Sequence, residues 1–488
     1  MVLASSTRTT DPGLLPGVQV ARLLELDALA PLDAAELLAG WPGLVLLESA
    51  RPGRRSRWTF LTADPIAVVT RPGPAHDPFA EARRLLARLD PGQPQDGDGN
   101  QPPFLGGLAG FLGYDLGLVL EPRAELVPND QELPPLRLAL HDWVIAWDRR
   151  TGQAFLGGRA VDGDRNRLDR RLNQVRAKLT GGPPGAARRG AAQPEDRPTE
   201  LVFESSLDRA AYEAGVGVIR RAIRDGEIYQ ANLARRLATP FNGDPWPLYR
   251  ALRTGDPALF ASYLDLGPGE TGVRAGRPRA IASASPEAFL SVDRDGFVTT
   301  DPIKGTRPRG GSPEEDRALA AELLASDKDR AENVMIVDVL RNDLGRVCRP
   351  GSVRVPRLCR LERTSAVQHL VSTVTGRLGV GRDAFDLLVA SFPGGSITGA
   401  PKIRAMEILE SLEPVRRGPY TGCALWLGPD GQLGSSILIR TLVADGTRLS
   451  LHVGGGITWR SDPAQEWLET VAKARGPLRS ITGREVAQ

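Results

Sequence analysis

The sequence predicts an α+β fold built on large antiparallel or mixed sheets. Three observations carry that expectation. Strand-like and helix-like runs are interleaved without a repeating strand–helix unit, which argues against a parallel α/β sheet. At 488 residues, 41% hydrophobic and 25% charged, the chain can bury a substantial core in one large domain or two to three ordinary ones. No internal repeat of solenoid or propeller length is visible.

Taken in order, a first region over 15–178 holds strand-like runs such as GLVLLES and WVIAWD around a glycine-dense stretch, FLGGLAGFLGYDLG. The segment 179–200, LTGGPPGAARRGAAQPEDRPTE, has no hydrophobic period and reads as a linker or exposed loop. A second region over 201–480 carries sharper signals. AYEAGVGVIRRAIRDG has helical spacing through Tyr212, Val216, Ile219 and Ile223, with Gly226 as a stop. EIYQANLARRLAT then alternates like a strand and puts Gln230, Asn232 and Arg236 on one face. Ser312 with Glu315 forms a capping-box pattern ahead of a helix. A second helix starts near Ser326 and stops at Gly345; a third starts at Ser461 or Asp462 and stops at Gly476. YTGCALWL, SSILIRTLVA and RLSLHVGGGITW read as strands between them.

Charge and cysteine usage narrow the class. The 62 basic and 59 acidic residues nearly balance, and arginines are scattered without interleaved aromatics, so a nucleic-acid surface has no support. Cys348, Cys359 and Cys423 are an odd number without a CxxC pair, which suits a reducing compartment and excludes a disulfide framework or structural zinc. The N-terminal stretch lacks an apolar signal core and no apolar run reaches about 18 residues, so a cytoplasmic, soluble protein is expected. Only Lys178, Lys304, Lys328, Lys402 and Lys473 are lysines, which makes each conspicuous, above all Lys304 in the Gly/Pro-rich turn DPIKGTRPRG.

Several residues fit small-molecule chemistry. Asp329 and Glu332 lie three apart on one helix, and Glu466 and Glu469 repeat that spacing on another. Oxygen donors without His or Cys suit Mg²⁺, though paired acids on a helix face equally suit a solvated surface, and Glu469 with Lys473 a plain ion pair. The turn in PGGSITGAPKIRAMEILE, with Pro401 opening a helix, offers backbone N–H groups to an anion or is simply a turn. Gly454, Gly455 and Gly456 follow a strand directly, where backbone can approach a ligand. Arg440 is either a bidentate carboxylate clamp or half of a buried ion pair.

Together these segments resemble the chorismate-utilising enzymes. The resemblance runs in order through GEIYQANLARR, SPEAFL, DPIKGTRPRG, DRAENVMIVDVLRNDLGRV, AVQHLVSTV, FPGGSITGAPKIRAMEILESLEP, RGPYTG, ILIRT, GGGIT and SDPAQEWLETVAKA, over roughly 201–479. LLES and GLAGFLGYDLG extend it more weakly into the first region. It implies anthranilate-synthase-like large sheets packed face to face, helices outside, the two regions sharing one compact fold, and an active site in a cleft of the C-terminal region. Within the family, Lys304, Asn333, PGGSITGAPK and Gln230 resemble the aminodeoxychorismate synthase branch. Gln230 stands where water-adding relatives place a general-base lysine, and an amide cannot take a proton from water.

The resemblance implies the chemistry as well. Glu332 and Glu469 would hold Mg²⁺ against a chorismate carboxylate, with Asp329 and Glu466 on its bound waters. Glu287 would protonate the leaving C4 hydroxyl, and a deprotonated Lys304 would attack C2 before ammonia displaces it at C4. An arginine could not serve, being permanently protonated. Arg440, Tyr420, Thr421, Lys473 and Gly454–Gly456 match positions around the substrate carboxylates. His369 matches a histidine near the ring, or else is a core histidine. Cys423 sits in a probable strand without a nucleophile elbow, so ammonia is expected from a separate glutamine amidotransferase subunit. The product would be 4-amino-4-deoxychorismate, on the way to 4-aminobenzoate and folate-type compounds. Ser49 in LLES resembles part of a tryptophan pocket, yet DPALFASYL departs from the segment that completes it. An anthranilate synthase component I, or a non-catalytic scaffold of the family, is the alternative.

Overall fold

The computed structural model describes residues 17–50, 57–92, 101–122, 127–181, 201–364 and 367–484. Two large sheets organise them, one of twelve strands and one of ten. Both draw on the two halves of the sequence. In the first sheet, Val45–Glu48 pairs antiparallel with Phe260–Pro268, joining the N-terminal strands to a run through Pro278–Ser285, Thr441–Ala444, Arg448–Ile457 and Gln230–Pro240. In the second, Gly107–Leu112 pairs antiparallel with Cys423–Leu427. Neither half of the chain closes a sheet without the other.

The sheets pack face to face. Val45, Phe60, Val144 and Ile281 of the first meet Phe111 and Ala424 of the second in one buried cluster. Alternation produces this: successive side chains point to opposite faces, so an apolar inner row leaves the outer row for helices. Helices Arg165–Thr180, Trp246–Gly255 and Pro463–Thr482 cover the outer face of the first sheet through Leu168, Leu172, Tyr249, Ala474 and Leu478. Asp327–Gly345 and Ala384–Ser391 cover the second through Ile336, Leu340, Phe385 and Leu388. The α+β architecture of large face-to-face sheets with outer helices is therefore as expected.

Local expectations fared unevenly. The Asp327–Gly345 helix starts and stops where read, with the Ser326 hydroxyl accepting from Asp329 N–H. Ser312 caps Pro313–Ala325, but the Glu315 carboxylate returns to the N–H of Gly311, not of Ser312. The last helix does not stop at Gly476. It continues through Pro477 to Thr482, because Leu478 and Ile481 are buried against the core, and a left-handed Gly483 ends it. SSILIRTLVA is two strands, Leu433–Ile437 and Thr441–Ala444, broken at Arg440 in the left-handed region at φ 51°. Of the segment 179–200, residues 179–181 end the Arg165–Thr180 helix and cap it, and the rest lies outside the described residues.

Candidate active site

A cavity of about 760 Å³ opens on the C-terminal strands and gathers most of the residues singled out above. Lys304 enters it from the strand Ile303–Pro308, and Glu287 from the turn before Ala288–Val292. Asp329 and Glu332 come from one helix, Glu466, Glu469 and Lys473 from the last, and Gly454 and Gly456 from Arg448–Ile457. Tyr420, Thr421, Arg440 and His369 line it as well.

Lys304 is the centre of its charges. Its Nζ lies 3.0 Å from Glu332 Oε1. Burial pushes its pKa down, but the charge and hydrogen bond of Glu332, aided by Glu287 and Glu469, outweigh burial and leave it above the ordinary lysine value. Held by Glu332, Lys304 is an ammonium here, so it has to pass its proton on before it can attack. Glu287 is buried. Burial lifts its carboxyl to about 7 against the opposing pull of Lys304, the Ile303 N–H and the Ser396 hydroxyl, 3.4 Å away. It can hold a proton near neutral pH.

Three of the four acids expected to face a metal, Asp329, Glu332 and Glu469, are matched with a cation; Glu466 is hydrogen-bonded to Ser461 instead. Arg307 lies 3.3 Å from Asp329, and Lys473 lies 2.7 Å from Glu469. Burial raises Glu469, but Lys473, Lys328 and Lys304 bring it below the ordinary value; burial raises Glu466 outright. Among the described residues no three acids converge closely enough to hold an ion as they stand. The donor set nevertheless fits Mg²⁺ in kind, being carboxylates from two helices in one cavity. The glycines make room for it: a Cβ on Gly455 would lie 3.1 Å from Glu466 Oε2, and one on Gly456 3.0 Å from Glu332 Oε1. Side chains there would crowd both helices' carboxylates.

The remaining expected residues fall into place differently. Gln230 is fully buried behind the cavity, not on its wall, and donates to Glu332 Oε1 at 3.1 Å. Gly455 is also off the wall. Arg440 is neither in a strand nor buried; it is half exposed at the mouth, 3.5 Å from Asp256. Thr421 also adopts a positive φ of 60°, so two wall residues are held in sparsely populated backbone conformations. His369 shares a 2.9 Å hydrogen bond with Thr306 across the strand pair. Ser49 lies elsewhere, in a separate pocket of about 400 Å³, where its hydroxyl donates to the Trp58 carbonyl. DPALFASYL reaches that pocket through Leu259 and Phe260.

Sequence reading missed Asn232, Lys328, Ser396 and His452, all on the cavity wall. The strand period could have found two of them. Asn232 shares a face with Gln230, and His452 stands two residues before Gly454.

A family model described as chorismate binding enzyme matches residues 45–479. The chain belongs to that family. It is a chorismate-utilising enzyme. Anthranilate synthase component 1 of Streptomyces coelicolor is 37% identical over 469 residues, covering 94% of this chain and 88% of the relative. Aminodeoxychorismate synthase component 1 of Klebsiella aerogenes is also 37% identical, over 470 residues, 92% of this chain and 97% of the relative. The crystal structure of anthranilate synthase component I from Streptococcus pneumoniae covers 98% of this chain and 94% of its own at a TM-score of 0.71 and 27% identity. MenF, an isochorismate synthase of Escherichia coli, shares the fold at a TM-score of 0.69 and 19% identity, over 96% and 95% of the two chains.

Proposed function

We propose that this chain is the large subunit of an aminodeoxychorismate synthase, converting chorismate and ammonia to 4-amino-4-deoxychorismate. Overall similarity does not choose the branch, since both kinds of relative stand at 37% identity. One observation carries the choice: Lys304 Nζ sits in the cavity, beside Glu332 and within the field of Glu287.

The residues divide the work. Lys304, once it has passed its proton on and left Glu332, forms a bond to ring C2; the double bond shifts and the C4 oxygen leaves as water with the Glu287 proton. Ammonia then bonds to C4, the double bond shifts back, and the C2–N bond to Lys304 breaks. Glu332 and Glu469 would hold Mg²⁺, with Asp329 and Glu466 around it, to supply a Lewis-acidic anchor for a substrate carboxylate. Arg440, Tyr420, Thr421 and Lys473 orient the dianion.

Ammonia comes, in this reading, from a separate glutamine amidotransferase subunit. Burial holds the Cys423 and Cys348 thiols well above the usual range, so neither is an activated nucleophile. Both relatives are named as first components, which fits a partnered subunit.

Mass spectrometry of the products from chorismate, ammonium and Mg²⁺ tests the proposal. Aminodeoxychorismate with retained enolpyruvyl group is expected; anthranilate with pyruvate would overturn it.

A further inference from the structure

The run 346–363 holds six arginines and one acid, Glu362, in a chain whose charges otherwise nearly balance. Most of it is the strand Arg354–Arg363, which pairs with Val367–Arg377 and, among the described residues, with no other strand. Arg354, Arg357 and Arg360 recur at every third residue, whereas strand side chains change face at every residue. In a regular strand Arg357 would point away from its two companions. The pairing register prevents this. The three arginines stand opposite Thr375, Thr373 and Val371, which are alternate residues and share one face. A bulge in each interval absorbs the extra residue, the second marked by Cys359 in the left-handed region at φ 49°. The result is a row of three arginines on one face, their backbones about 6.7 Å apart.

The fold does not neutralise the row. All three arginines are exposed, and among the described residues none has a carboxylate within ion-pair distance. Arg363, on the same strand, does lie 3.8 Å from Asp316. Like charges aligned so closely repel one another. An edge strand needs some guard against aggregation, but a single charge, the bulges and Pro356 already supply one. Alignment is an added cost, which a row of opposite charge offsets.

The chemistry of that row follows from the edge. The bulges and Pro356 spoil the outer side for an added strand, so a ligand is held by side chains. Guanidinium forks suit carboxylates. In an extended peptide, alternate side chains share one face at the same repeat of about 6.7 Å. The run has no aromatic residue on which bases could stack, which favours a peptide over a nucleic acid. Leu358, 49% exposed, adds an apolar contact.

We infer that the strand Arg354–Arg363 is a docking site for an extended acidic segment of a partner protein, whose alternate carboxylates seat on Arg354, Arg357 and Arg360. None of the three lines the catalytic cavity, so the inference does not depend on which reaction the enzyme performs.

Fluorescence anisotropy on the full chain tests it, with a labelled peptide of five Glu-Thr repeats as the probe. Binding is expected below about 1 mM at low ionic strength. Combining Arg357→Glu with Arg360→Glu should weaken it about tenfold, as two exposed pairs turn repulsive. A peptide with the same five glutamates at every third residue should also bind about tenfold more weakly, as should a single-stranded oligothymidylate of equal charge. Chorismate turnover of the double variant should match the parent's. Equal binding of the respaced peptide or of the oligonucleotide would overturn the inference in favour of a general polyanion surface. Absent binding, or binding that the double variant leaves unchanged, would overturn it too. Should the double variant not fold, Arg357→Gln, expected to weaken the first peptide about threefold, decides it in the same titration.

Discussion

Glu287 shows how much one residue's surroundings decide. As a residue in SPE it is an ordinary carboxylate; buried beside Lys304 it is lifted from 4.5 to about 7. Since the folded value lies above the unfolded one, the group favours folding most at low pH, and that advantage is lost as pH rises from 4.5 through 7. One pKa unit is ~1.4 kcal/mol, so the cost at high pH is on the order of 3 kcal/mol. Glu287→Gln removes it. Thermal melts should show the variant gaining on the parent between about pH 4.5 and 7 and holding that margin above, while turnover falls by a hundredfold or more. A margin independent of pH would contradict the shift. The identities of Lys304 and Glu287 were legible in the sequence because their neighbours form motifs. The Lys304–Glu332 ion pair was not, since it depends on a helix and a strand some thirty residues apart meeting in space.

At the scale of elements, the site depends on how the Asp327–Gly345 helix seats on the strand Val367–Arg377. Asn333 does this, fully buried: its amide donates to the Leu370 carbonyl at 3.2 Å and accepts from the Ser372 hydroxyl. Leu370 is the register partner of Lys304, and Asn333 follows Glu332 directly, so one side chain ties both halves of the ion pair. Asn333→Ala should destabilise the protein by about 2–3 kcal/mol, through two lost bonds and their orphaned partners, as read by denaturant titration. It should also lower kcat at least tenfold by loosening the Glu332–Lys304 geometry. Unchanged stability would remove Asn333 from this role. Helix starts were legible here because caps are local; the end of the last helix was not, because burial of Leu478 and Ile481 overrides the stop signal of Gly476. The break at Arg440 was hidden for a similar reason. Its flanks read as one apolar strand, and only tertiary packing turns the backbone there.

At the scale of the molecule, two shared sheets make a rigid frame on which separate segments deliver single side chains to one cavity. The interleaved strand-like and helix-like runs predicted the sheets, and the family resemblance placed helices outside them and both regions in one fold; which strands of the two halves pair was not legible, because pairing between distant segments leaves no local mark. The frame serves a single chemical claim, that Lys304 bonds covalently to the ring. Intact-protein mass spectrometry after exposure to chorismate and Mg²⁺ without ammonia tests it most directly. The account predicts an adduct of chorismate less one water on Lys304, absent in Lys304→Ala and discharged by ammonium. Full ammonia-dependent turnover in Lys304→Ala, or no adduct on an active enzyme, would contradict it.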